Sequence, residues 1–331
     1  MGGCGRLAAH VPRPGCSARA DVGLRREGLS IMSSDSGVDA AAEDRLPPIV
    51  CGVDQRYLVA LGALMASIAA AHPGAVSQLR LIVLHHGLGR ADRAVIVRWA
   101  AELGLAVQVR SVTDVADRYP VSGWVSAAVY LRLAIPEVLG EEPRVLYLDA
   151  DTLVVDDLRP LLRHPLGDAA LAAVRDPQNP AIGSGIALPG WRRLGLPYGR
   201  DYFNSGVLLL DLVACARDDI FGRARRFLTQ HPDEARLWDQ DALNVAAGDR
   251  WVRLDRRWNT FAFSGLSRLP GFVHERDGRR LPVPQLVAEE DTAAVLHFAG
   301  PVKPWHDDYP PGPARDRYRR FLAAAPVVGA R

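Results

Sequence analysis

The sequence predicts an α/β fold built on one mainly parallel central sheet with helices on both faces. Two observations carry that prediction. Over residues 49–112, short apolar runs alternate with stretches of helical period, the pattern of parallel strands joined by helical crossovers. Further on, Arg144-Val145-Leu146-Tyr147-Leu148-Asp149-Ala150-Asp151 is apolar at successive positions and too short for a helix, as expected of a strand buried on both faces.

The elements follow in order. Ile49-Val50-Cys51-Gly52-Val53, introduced by Pro47-Pro48, is the first strand and runs into Asp54-Gln55-Arg56-Tyr57. Leu58, Leu61, Met65 and Ile68 stand near helical spacing, and His72-Pro73-Gly74 stops that helix. A strand is expected over residues 79–84, a helix over 91–103 and a third strand over 106–112. Residues 126–133 read as a helix leading to the acidic strand. A strand over 170–174 ends at Arg175-Asp176, and the Gly- and Pro-rich stretch 178–198 reads as a long loop, of the length that often forms a functional lid. Tyr202-Phe203-Asn204-Ser205-Gly206 is a turn entering a buried strand that ends at Asp211. Residues 220–230 form an amphipathic helix, and Trp238-Asp239-Gln240-Asp241-Ala242-Leu243-Asn244 opens the next. Strands are expected at 251–254 and 293–298, and the latter runs into Ala299-Gly300-Pro301-Val302-Lys303-Pro304-Trp305.

Composition bounds the rest. A chain of 331 residues with 48% hydrophobic and 24% charged residues is long enough to bury a large core. With 40 basic against 38 acidic residues the net charge is +2, and no global field marks a nucleic-acid binder. The four cysteines, Cys4, Cys16, Cys51 and Cys215, have neither zinc-site nor disulfide spacing, which suits a reducing compartment. No apolar run has the roughly 18–20 residues of a transmembrane helix, and charged residues interrupt the N-terminal stretch too often for a secretory leader. The expectation is a cytoplasmic protein. Residues 1–47 lack any apolar period and read as a disordered tail, with Met32 an alternative start. Residues 48–322 read as a single domain and 323–331 as a C-terminal tail. Arg315, Arg317, Arg319 and Arg320 read as a solvated helix face, with attachment to a membrane surface the minor alternative.

The chemistry concentrates at strand ends. Open α/β sheets bind ligands outside the carboxyl edge, where Asp149 and Asp151 emerge, and a pair of carboxylates there suits a hard divalent cation such as Mg²⁺ or Mn²⁺. The plainer reading is a strand ending in solvated acids. Arg132 sits among apolar neighbours and needs a partner, either a phosphate, a motif acid or a structural ion pair. For Asn204 and Ser205 the plain alternative is turn formation. N-capping accounts for one of Asp239 and Asp241, but not for a polar cluster beside a tryptophan.

Four stretches in this order, Tyr147-Leu148-Asp149-Ala150-Asp151, Phe203-Asn204-Ser205-Gly206, Asp239-Gln240-Asp241-Ala242-Leu243-Asn244 and His297-Phe298-Ala299-Gly300-Pro301-Val302-Lys303-Pro304-Trp305, resemble glycosyltransferase family 8. That family includes bacterial lipopolysaccharide galactosyl- and glucosyltransferases and glycogenin. The resemblance extends to Val53-Asp54 with Tyr57, and to Tyr130 with Arg132. It implies a GT-A fold with a Rossmann-like sheet, a UDP-sugar donor and retaining transfer of a hexose, glucose or galactose, to a hydroxyl of a glycan, glycolipid or other acceptor. It makes Asp149, Asp151 and His297 the ligands of a Mn²⁺ (Mg²⁺ the alternative) that bridges the donor diphosphate, a donor set that suits Mn²⁺. Asp54 and Tyr57 match positions around the uridine. Arg132, Ala150, Gly300 and Lys303 fall with the nucleotide, Lys303 as a point charge on the diphosphate and Gly300 allowing close backbone approach. Asp176, Asn204 and Asp239 match positions facing the donor sugar, and Gln240 with Asp239 is implied in catalysis. Gln55-Arg56 departs from the acidic and amide residues usual after Asp54, and the chain lacks the long basic and aromatic tail of the membrane-associated members.

Two other classes remain at this level. Residues 145–152 also resemble the haloacid-dehalogenase-type phosphatase motif, although that motif normally lies on the first strand of its domain and here three strands precede it. The third is a non-catalytic nucleotide-sugar binder.

Overall fold

The structure, a computed structural model, describes residues 45–113, 119, 121, 125–274 and 278–325. The expected N-terminal tail lies outside the described residues up to residue 44, as do Cys4, Cys16 and Met32. The described residues belong to one compact unit that starts at Arg45.

The strands are β1 (Ile49–Val53), β2 (Arg80–His85), β3 (Ala106–Ser111), β4 (Arg144–Leu148), β5 (Thr152–Val154), β6 (Leu171–Arg175), β7 (Phe203–Asp211), β8 (Val252–Arg253), β9 (Thr260–Phe261) and β10 (Val295–His297). The main sheet has the order β3-β2-β1-β4-β7-β6-β8. β1 pairs in parallel with β2 and β4, β2 with β3, and β6 with β8. β7 alone runs against its neighbours, antiparallel to both β4 and β6.

Period-two alternation explains why helices cover both faces. Val50, Ile82, Leu84, Val145, Tyr147, Leu208 and Leu210 join one buried cluster. Ile49, Cys51, Leu81, Val83, Leu146, Leu148 and Leu209, one residue out of phase, join another. The long helices are α1 (Leu58–Ala71), α2 (Arg90–Glu102), α3 (Ile220–Gln230), α4 (Trp238–Ala247) and α5 (Pro313–Ala324). α1 and α2 cover the second face with Leu61, Met65, Ile96 and Trp99. α3 and α4 cover the first with Phe221, Phe227, Ala242 and Leu243.

Three features depart from the sequence expectation. A second, smaller sheet joins the expected central one. β5, β9 and β10 form a separate sheet in the order β5-β10-β9, with β10 antiparallel to β5 and parallel to β9. α1 is apolar almost all round because it lies between the two sheets: Leu61 and Met65 face the main one, Ala63 joins the cluster around Leu153 and Leu296, and Ser67 Oγ accepts from the Val154 amide at 3.0 Å. The helix expected over residues 126–133 is a 3₁₀ helix, Ala127–Ala134, capped by the Ser126 side chain, and a new α-turn begins with Pro136 near its start. The C-terminal helix α5 runs two residues past the expected domain end. Its Ala314 and Tyr318 are buried, Arg319 and Arg320 are exposed, and Arg315 and Arg317 are half-buried, so the basic face is open only in part. Residues 178–198 form the expected loop, closed by a bridge between Ala181 and Asp201. Among the described residues no helix is long and apolar enough to cross a membrane.

Candidate active site

The carboxyl ends of β1 and β4, the amino end of β7 and the end of β10 meet at one cleft. β7 runs antiparallel to β4, so its first residues, Asn204 and Ser205, arrive beside the last residues of β4. Asp149, Ala150 and Asp151 form the turn between β4 and β5, held by the Asp149 amide donating to Gly206 O at 2.8 Å. His297 comes from the smaller sheet, where it pairs with Thr152, and this register brings the ring to the acidic turn. Gly206 makes the approach possible. A Cβ there would stand 2.4 Å from His297 Cε1 and 2.9 Å from Asp149 Oδ2.

His297 Nε2 lies 3.5 Å from Asp151 Oδ1 and 4.0 Å from Asp149 Oδ2. One donor atom from each of the three residues fits within 4.8 Å of the others. Ligands of an octahedral ion at about 2.1 Å stand about 3–4.2 Å apart, and the two His297–carboxylate separations fall in that range, as suits a divalent cation of the Mn²⁺ or Mg²⁺ kind. The His297 ring is fixed from behind, with Nδ1 2.9 Å from Asn259 Oδ1.

The cleft is strongly charged yet internally balanced. Arg132, buried, donates from Nη2 to Asp149 Oδ1 at 2.7 Å and pairs through Nε with Asp239 Oδ2 at 3.0 Å. Its Nη1 donates to Ser205 O and Oγ, and its guanidinium lies 4.5 Å from the Tyr147 ring centre. Arg132 thus meets one of its expected partners, a motif acid, together with Asp239. Every guanidinium nitrogen is engaged by the protein. Burial pushes the Asp239 carboxyl up to about 6, against the pull of Arg132 and with the push of Asp149.

Lys303 is buried, not a surface lysine. Its Nζ donates to Asp151 Oδ2 at 2.5 Å and to Phe298 O at 3.0 Å, so its charge is first spent on a candidate metal ligand. Burial alone would raise the Asp151 carboxyl, but Lys303 and then His297 outweigh it and hold the group well below the usual carboxylate range.

The far wall is an amide and carboxylate lattice. Gln240 Oε1 accepts from the Ser205 amide at 3.0 Å and from Asn204 Nδ2 at 2.8 Å, which turns the Gln240 NH₂ toward Asp176 Oδ2 at 3.1 Å. Asp176 Oδ1 accepts from the amides of Gln178 and Asn179 at 2.9 and 2.7 Å. Tyr57, edge-on to Trp305 with ring centres 5.6 Å apart, Gly300 (φ 104°) and Ala150 complete the walls named from sequence. Asp54 is the exception. It is not part of the cleft wall, and its Oδ1 caps the turn that follows β1 by accepting from the amides of Arg56 and Tyr57. Sequence reasoning missed Asn259 and Trp238, the latter a cleft residue with φ 47°. The tryptophan beside Asp239 was a signal for one of them, while Arg256-Arg257-Trp258-Asn259 carried none for the other.

Known proteins are similar to this chain over most of its length. General stress protein A of Bacillus subtilis is 26% identical over 85% of this chain and 94% of its own length. The lipopolysaccharide 1,2-glucosyltransferase of Escherichia coli is 29% identical over 78% of this chain and 72% of its own. A crystal structure of the galactosyltransferase LgtC with donor and acceptor sugar analogues superposes with a TM-score of 0.67 at 29% identity, covering 85% of this chain and 97% of that one. The architecture is accordingly the GT-A fold. Residues 48–309 match the family model described as Glycosyl transferase family 8, and with the motif acids, Asn204, Gln240 and His297 brought to one cleft, the chain belongs to glycosyltransferase family 8.

Proposed function

We propose that this glycosyltransferase moves a hexose, glucose or galactose, from a UDP-sugar to a hydroxyl of a glycan or glycolipid acceptor with retention of configuration. The observation that carries the reading is the convergence of Asp149, Asp151 and His297 beside the Asn204–Gln240–Asp176 lattice in one cleft. Asp149, Asp151 and His297 would hold Mn²⁺, which when bound supplies positive charge against the negative charge growing on the leaving diphosphate. Lys303 lies against Asp151 and adds a second cation at the same end of the cleft. Asp176 and Asn204 face the sugar, and their engaged atoms hold Gln240 rather than leaving it free to swing. An amide is a weak nucleophile, so Gln240 is assigned to orienting the sugar and steadying the charge at its reactive carbon. Asp239, beside Arg132, is assigned to the same end of the donor. Tyr57 is assigned to the nucleotide base.

The phosphatase alternative requires the first motif acid as a free nucleophile. Here Asp149 Oδ1 accepts from Arg132 and from the Tyr147 hydroxyl at 2.7 and 2.9 Å, which opposes that role. The two described cysteines, Cys51 and Cys215, are buried free thiols, in keeping with the cytoplasmic setting we assign. The test is a panel of UDP-sugars with and without Mn²⁺, read as UDP release in the presence of simple sugar acceptors. Turnover of one UDP-hexose only with the metal is expected, and Gln240→Ala should slow it while leaving UDP affinity within a few-fold. Release from no UDP-sugar, or from all of them without metal, would contradict the proposal.

A further inference from the structure

We propose that Asn259 is a positioning residue that commits His297 to presenting a lone pair on Nε2 toward Asp149 and Asp151, in a direction set by the backbone amide of Gly206. The consequence for a metal rests on the reading above, whereas the hydrogen-bond order stands on geometry alone. The Gly206 N–H can only donate, and it lies 3.0 Å from Asn204 Oδ1. That contact fixes which end of the Asn204 amide is oxygen. Its Nδ2 then faces Gln240 Oε1 at 2.8 Å and Asp176 Oδ2 at 3.3 Å, both acceptors, so the assignment is consistent at each end.

The same oxygen of Asn204 also meets the Asn259 amide at 2.8 Å, and the group facing it must be the Asn259 NH₂. Asn259 therefore turns Oδ1 to His297 Nδ1 at 2.9 Å. An oxygen can only accept, so Nδ1 carries the proton, and in a neutral imidazole Nε2 is left with its lone pair. Nε2 faces two carboxylates, 3.5 and 4.0 Å away, so with the proton on Nδ1 fixed it is the nitrogen that gives a divalent cation entering between them its lone pair. Asn259 is 2% exposed, so water does not readily replace it as the acceptor. A flipped amide would instead put an NH₂ against Nδ1 and an Nε2–H toward Asp151, turning a ligand into a hydrogen-bond donor.

The test uses full-length protein labelled with ¹⁵N-histidine, free of metal. Long-range ¹H–¹⁵N correlations give the protonation of each ring nitrogen, with the His297 signals identified by their loss in His297→Gln. A proton on Nδ1 is expected in the wild type, moving off Nδ1 in Asn259→Leu. Mn²⁺ affinity, read by electron paramagnetic resonance of the free ion, should fall about 10- to 100-fold in Asn259→Leu. Asn259→Asp keeps an oxygen facing Nδ1, and should retain both the Nδ1 proton and an affinity well above that of the leucine variant. A proton that stays on Nδ1 in Asn259→Leu, or an aspartate variant as weak as the leucine one, would overturn the role. Wild-type protein that takes up no Mn²⁺ yet shows the Nδ1 proton and its loss in Asn259→Leu would overturn the metal reading while upholding Asn259.

Discussion

Gly206 and Arg132 show how much of the site depends on single side chains, or on the lack of one. Adding a methyl group at Gly206 brings it against His297 Cε1 and Asp149 Oδ2, two of the three residues that would bind metal. Gly206→Ala should therefore weaken Mn²⁺ binding by at least tenfold, with far-ultraviolet circular dichroism unchanged. Equal Mn²⁺ uptake by the variant and the wild type would contradict that geometry. Arg132 balances Asp149 and Asp239 from within the protein. Its removal in Arg132→Met strands the buried Asp239 and the half-buried Asp149, for which about 3 kcal/mol of stability is the expected loss. Urea unfolding measures this directly, and a loss below about 1 kcal/mol would mean that water reaches the pair. Asp149 and Asp151 stood out as paired acids at a strand end, whereas Asn204, Gln240 and His297 were singled out only through the resemblance of their motifs to a family. Asn259 was not, because its role comes from what it bridges and not from its neighbours in sequence.

At the scale of elements, residues 178–198 act as a pinned wall rather than a loose flap. The Leu188 amide and the Tyr202 hydroxyl donate to Asp241 Oδ1, and the amides of Arg236 and Leu237 donate to Oδ2 at 2.7 Å each. Arg280 Nε donates to Gln178 O at 2.8 Å, Arg279 Nη1 to Gly199 O at 2.9 Å, and Arg193 pairs with Glu234. Asp241 is thus a fastening of the wall to the start of α4, a role that its place in the Asp-Gln-Asp motif did not reveal. Burial pushes its carboxyl up to about 6 from an ordinary 3.8, against the hydrogen bonds that favour its charged form. The folded state then holds this proton more tightly than the unfolded chain. Its contribution to stability is greatest below pH 3.8 and falls as pH rises through about 6. Between pH 4 and 6.5, the urea midpoint should decline more steeply in the wild type than in Asp241→Asn, by an energy of at most roughly 3 kcal/mol. Parallel pH profiles for the two proteins would show that Asp241 is charged throughout.

The whole molecule joins two sheets around one cleft, and that join is what sequence alone did not show. The alternation of strands and helices was readable because each apolar run is local and the long helices end near a Gly or Pro, as at His72-Pro73-Gly74. The separate sheet was not, because β5, β9 and β10 are two or three residues long and owe their pairing to partners far away in sequence. The antiparallel direction of β7 was hidden for a similar reason, since a buried strand has the same pattern whichever way it runs. Without the small sheet, His297 would not reach Asp149 and Asp151. In the proposed function these three residues form a metal site serving a nucleotide diphosphate. The decisive measurement is calorimetry of UDP binding with and without Mn²⁺ in the wild type and in Asp151→Asn, which preserves an acceptor for Lys303. Strong binding that requires Mn²⁺ in the wild type and falls at least 100-fold in the variant is the predicted result. Binding of equal strength in the two proteins, or indifferent to Mn²⁺, would contradict it.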